Sequence, residues 1–267
     1  MGTVGAYSGS GGQAGRDLRE GVEDWLNELP TSPPPGDSPE QDGDGPGQDG
    51  PRLNPDTLLN VLPLMRPGST GGGSSDGPGG GGGGSGSSGG GRSGGGASRS
   101  VGGSARTAGR AAAAARAFRA ADVDALAQFG LDYAALATLD DPIEVVRQIV
   151  EAACGARADS TIEDHEQRLV AAEVAEWVIG EEGDSPPPPE EIVRHTIAII
   201  IADATLVETA DEASHHANGD LLESEVREAA EALAERVPLS MDGTTEDEFA
   251  AAIESGIETL RGIMEAD

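Results

Sequence analysis

The stretch PEEIVRHTIAIIIADATLVETADEASHH, residues 189–216, decides the fold class. Val193, Ile197, Ile200, Ala204 and Val207 recur at helical spacing, and the run Ile197 to Ala202 is apolar on every side of such a helix. A helix that is apolar all round belongs among other helices. Pro186 to Pro189 lead into it and Asn218-Gly219 end it, so the pattern predicts one long central helix over about 190–216.

The same periodicity extends outward from this helix. Asp141-Pro142 opens a helix through Ala153 that carries Ile143, Val146, Ile149 and Val150. Ser160 with Glu163 forms a capping box before Leu169, Val170, Val174, Trp177 and Val178, which run to a stop at Gly180. Downstream, Leu222, Val226, Ala230, Leu233 and Val237 precede Pro238, and Phe249, Ile253, Ile257, Leu260 and Met264 mark a last helix. Upstream, Arg106, Arg110, Arg116 and Arg119 flank Ala111 to Ala115 in a basic, Ala-rich helix that begins the foldable part. Only 3% of residues are aromatic, so the core must come from aliphatic helix faces rather than a sheet. The expected class is all-α, an antiparallel bundle of five to six helices over residues 105–267.

Residues 1–104 read differently. Met1-Gly2-Thr3 opens a small-residue leader, and Leu18, Val22, Trp25, Leu26 and Leu29 then lie on one helical face ended by Pro30. That helix is too short to be stable alone in water. It either folds back on the carboxyl domain or docks in a partner's groove. Residues 31–104 are expected to be a disordered linker, because Pro, Gly and Asp cannot bury enough apolar surface to offset ordering entropy. An apolar island, Leu53 to Met65, interrupts it as a second contact motif. The Gly/Ser stretch 68–104 would have an r.m.s. reach on the order of 30–35 Å.

Charge restricts the partners. The formal net charge is -31, with 36 acids against 7 Arg in residues 122–267 and 6 Arg with no acid in residues 77–121. So negative a carboxyl half repels phosphate backbones and anionic lipid, and neither direct nucleic-acid binding nor membrane association is expected. The basic helix around Ala111 lies against this acidic domain, or else touches nucleic acid against the opposing charge. All 17 basic residues are Arg, and a Lys-free acidic surface suits hydration at molar salt, as in a salt-adapted organism. A single cysteine, Cys154, permits no intrachain disulfide and reads as a small buried hydrophobe. With no basic, apolar leader and no membrane-length apolar run, a cytoplasmic location is expected.

One constellation could bind metal. Glu212 and His215 have the i, i+3 spacing that di-iron bundles use to aim two ligands inward, but such sites need two motifs. The nearest second pair, Glu191 and His195, is spaced i, i+4. Glu212 and His215 are therefore candidate ligands only, a solvated helix end is the plainer reading, and no cofactor or catalytic set is expected.

The overall plan resembles QatB, a component of the Qat anti-phage defence systems. The features are the Met1-Gly2-Thr3 start with Tyr7-Ser8-Gly9, the Trp25 and Leu29-Pro30 element, the Gly/Ser/Arg segment from Gly94 to Arg119, and the acidic helical carboxyl half. The helix from Ile192 to Asn218-Gly219 and the closing helix 245–265 are most similar to that family. The long Gly insert and the acidity depart from its pattern. The resemblance implies a non-catalytic protein working with a QueC-like enzyme, a KAP-type ATPase and a TatD-like nuclease. It further implies that the QueC-like enzyme attaches a deazaguanine group to a protein N-terminus, for which the sequence offers Gly2, or a nearby Gly, as acceptor and Leu18, Val22, Trp25, Leu26 and Leu29 as a docking face. The alternative is a structural or regulatory adaptor of a salt-adapted archaeon, with no modification.

Overall fold

The computed structural model describes residues 12–30, 51–66, 100–155, 162–183, 185–241 and 243–266. Within them the protein is all-α, and β-type pairing is limited to one bridge between Arg66 and Ser100. No helix among these residues is long and apolar enough to cross a membrane.

Helix α7, Pro189–Glu208, buries Ile192, Val193 and the whole run from Thr196 to Ala202. Pro189 in the first turn and Glu190 and Glu191 beside it suit a helix start. The helix is shorter than its apolar spacing predicts. The Thr209 hydroxyl donates back to the Thr205 carbonyl at 2.8 Å, and a separate short helix, α8 (Ala210–His215), follows. Such back-bonding offers the backbone an alternative to the regular ladder. Val207, expected in the core, is 37% exposed just before that break.

A second central helix is α2, Val101–Arg119, which packs against α5 (Pro142–Cys154), α6 (Ile162–Gly180) and α10 (Glu246–Ala266). Ser100 caps it by accepting from the Gly103 N–H at 3.2 Å. Ala111 to Ala115 are all buried, because side chains of one carbon let three neighbours approach the α2 backbone together. Arg119 binds the α6–α7 connection, donating to the carbonyls of Ile179, Glu181, Gly183 and Ser185 at 2.7–3.2 Å. It acts as a bracket, and the basic character of this helix is partly structural.

Two helices escaped the sequence reading. Helices α3 (Val123–Gln128) and α4 (Tyr133–Ala137) each run little more than a turn, capped by Asp122 on Ala125 N–H and Asp132 on Ala135 N–H. In α5 the expected Asp141 cap forms, at 2.9 Å to the Ile143 N–H. The buried face is Val145, Ile149, Val150 and Ala153, while Ile143 is 74% exposed. Leu169 of α6 is likewise half exposed, and Ser160 of the expected capping box lies outside the described residues. Helix α9, Leu222–Ala234, packs on α7 as its spacing predicts.

The amino-terminal elements require a correction. The chain forms α1 over Gln13–Glu28 and a 3-10 helix over Pro55–Leu64, and α1 lies on the latter. The 3-10 helix packs in turn on α7, α9 and α10. Its three-residue repeat stacks i and i+3, so Leu59, Leu62 and Met65 form one buried row and Leu58 and Val61 another. One contiguous core runs from Leu18 through Leu260. The expected linker over 31–104 therefore contains a core element, and the carboxyl helical part starts at Ser100 rather than at 105. Both low-complexity segments also begin and end at tied points. The Trp25 indole N–H donates to the Pro51 carbonyl at 2.7 Å, and the Val101 N–H donates to the Arg66 carbonyl at 3.0 Å. Residues 31–50 and 67–99 lie outside the described residues.

Candidate functional site

The sequence put the docking face on α1, and the structure turns that face inward. Leu18, Val22, Trp25 and Leu26 are buried, and Leu29 packs partly buried on the same core. The close approach depends on Gly21, where a Cβ would stand 2.6 Å from Thr57 Cγ2. Arginines fasten the seam. Arg19 of α1 reaches Glu208 at 3.4 Å and Glu212 at 3.5 Å, and Arg261 of α10 donates to the Leu62 and Met65 carbonyls at 3.2 and 2.7 Å. Arg52 pairs with Glu228 and Arg236 with Asp56 at exposed positions, where each pair adds little. Of the two alternatives for α1, folding back on the domain is what the structure contains. These apolar side chains are unavailable to a partner, and the outward face of α1 is acidic, with Asp17, Glu20, Glu23 and Asp24 exposed. Gly2 lies outside the described residues.

Glu212 and His215 line one cleft of about 300 Å³ together with Glu23 and His216. Glu212 pairs with Arg19, whereas exposed His215 has Nδ1 2.6 Å from the Asp211 carbonyl and 3.1 Å from Ser214 Oγ. The second pair lies elsewhere: Glu191 is exposed at the start of α7 and His195 stacks on Trp177. Among the described residues no group of three or more His, Cys, Asp or Glu side chains could hold a metal ion.

A cleft of about 610 Å³ has no counterpart in the sequence analysis. It lies among α6, α7 and α9, and its lining includes Trp177, Arg194 and His195 with Glu181, Glu190, Glu191, Glu231 and Glu235. The rings of Trp177 and His195 stack at 4.3 Å between centroids and 23° between planes. Burial pushes the His195 pKa down, with nearby Glu173 opposing the shift and Arg227 reinforcing it. Arg227 is itself paired with Glu173 at 3.0 Å, and that bond raises its pKa. Carboxylates around an aromatic face can accept hydrogen bonds from a cation or an amine. No sequence signal could pair Trp177 with His195, because they meet only through the packing of two helices.

Two smaller clefts flank α2. One, of about 480 Å³, includes Arg110, Arg116, Thr245 and Glu246, and the other, of about 200 Å³, includes Arg106, Arg110, Cys154, Gln167 and Arg168. They share Arg110, whose Nε lies 3.1 Å from Glu246. No family model, curated protein or solved structure matches the chain.

Proposed function

We propose that this chain is a non-catalytic component of an anti-phage defence system, serving as scaffold and as the N-terminally modified substrate of a QueC-like partner enzyme. In this reading an antiparallel helical bundle displays a disordered leader, and a KAP-type ATPase and a TatD-like nuclease complete the cytoplasmic assembly. Once the initiator Met is removed, the Gly2 nitrogen bonds to an activated carbon of the deazaguanine group, losing a proton as the activating group departs.

The observation that supports this reading is the seating of α1. Its first residue, Gln13, follows Gly12, and its apolar face is sealed in the core, so the leader springs from a fixed base. Eleven residues extend at most about 40 Å, which keeps Gly2 within reach of an enzyme bound at that base. Docking falls to the acidic outer face of α1, from Asp17 to Asp24, which suits a basic partner surface and electrostatic steering.

Intact-mass spectrometry with N-terminal peptide mapping tests the proposal, on protein produced with and without the QueC-like enzyme. A partner-dependent mass increase on Gly2 is expected. An identical N-terminus in both samples overturns the modification and leaves the structural adaptor, in which α1 serves the fold alone.

A further inference from the structure

In this chain 48 acids compete for 17 Arg. Arg106 and Arg168 are two of several arginines with no carboxylate partner among the described residues. Neither has an ion pair with any of the described residues, yet both line the 200 Å³ cleft between α2 and the start of α6, together with Arg110. The guanidiniums of Arg106 and Arg168 share this small volume with Arg110, which Glu246 already pairs, and like charges so placed repel one another; among the described residues Asp164 is the one carboxylate of the lining. An anion in the cleft would relieve that repulsion. The wall is also built rather than incidental. Thr107 donates to Gln167 Oε1 at 3.3 Å, and the absence of a side chain at Gly103 makes room for the Gln167 amide, whose Nε2 lies 2.4 Å from where a Cβ would be.

Size narrows the ligand. Pockets for drug-sized molecules run from about 300 Å³ upward, and this cleft is smaller. Guanidinium forks match tetrahedral oxyanions through paired, charge-assisted hydrogen bonds. We propose that the Arg106–Arg110–Arg168 cleft binds a compact phosphate-type oxyanion, with diphosphate as its best-fitting form. The inference stands or falls independently of the proposed function.

Cys154 lines the same cleft and is the only thiol of the chain, so its alkylation reports occupancy. The full chain is treated with iodoacetamide in graded pyrophosphate, against potassium chloride at matched ionic strength. Pyrophosphate is expected to slow labelling at millimolar or lower concentration. Arg106→Gln and Arg168→Gln should each weaken that protection about tenfold, the worth of one charge-assisted hydrogen bond. Arg194→Gln, in the cleft beside Trp177 and His195, should leave it unchanged. Thermal melts of each variant establish that the fold is intact, and direct calorimetric titration with pyrophosphate covers any variant whose thiol reactivity shifts on its own. Equal labelling in pyrophosphate and chloride, or undiminished protection in the folded Arg106→Gln/Arg168→Gln double variant, overturns the site.

Discussion

Gly109 carries more structural demand than its composition suggests. A Cβ there would stand 2.9 Å from both the Ala250 nitrogen and the Glu246 carbonyl oxygen of α10, and backbone cannot step aside as a side chain can. Gly109→Ala is therefore expected to destabilise by about 1–3 kcal/mol in urea denaturation. Gly262→Ala, with open space around its Cβ in the same α10, should instead stabilise by roughly 0.5–1 kcal/mol. His195 makes a prediction in pH. Its folded pKa lies below the ordinary 6.5, so the unfolded chain binds its proton more readily. The resulting loss of stability begins as pH falls through 6.5 and is complete below the folded pKa. His195→Gln should flatten that part of the stability profile, and an unchanged slope would contradict a buried, neutral imidazole. Glu144 behaves oppositely in origin but with the same sign. Hydrogen bonds from Arg147 and then Gln148 hold its pKa at about 2 against an ordinary 4.5, so its contribution is present above 4.5 and lost as pH falls toward 2.

At the scale of the element, the sequence was most legible where periodicity was long. Helices α7, α9 and α10 follow their apolar spacing, because 13 to 21 residues of repeat leave few alternatives. Helices α3 and α4 were missed because five or six residues hold no repeat to read. The island at 53–65 was recognised as apolar but not as core, since a three-residue repeat between prolines resembles neither a helix nor a strand pattern. The same local view could not decide where α1 docks. Its partner turned out to be a 3-10 helix about 30 positions downstream, closed over Gly21 and Thr57. Trp25→Ala removes a side chain that is 5% exposed and the hydrogen bond to Pro51. It is expected to cost about 3–5 kcal/mol in chemical denaturation, a large share of the roughly 5–15 kcal/mol that holds a domain. A loss below 1 kcal/mol would mean that α1 is dispensable to the core.

Among the described residues, the amino-terminal elements and the carboxyl helices share one hydrophobic core, and the residues on either side of each low-complexity segment are tied by Trp25–Pro51 and Arg66–Val101 hydrogen bonds. Replacing residues 68–98 by a short Gly/Ser turn should thus leave the melting temperature within a few degrees, because Arg66 and Val101 already meet. The candidate site was legible only in part. The sequence offers Gly2 and the apolar face of α1 as candidates, but burial of that face depends on contacts no local pattern reveals, and the arginine cleft depends on α2 meeting α6. In this fold α1 is part of the core rather than a detachable arm. Native-state hydrogen exchange tests this directly, by comparing the amides of Leu18 to Leu26 with those of Ile197 to Ala202. If α1 belongs to the core, the two sets should exchange through the same global opening and with matching denaturant dependence. Exchange of the α1 amides through a separate, lower-energy opening while α7 stays protected would contradict the account and restore the free docking arm.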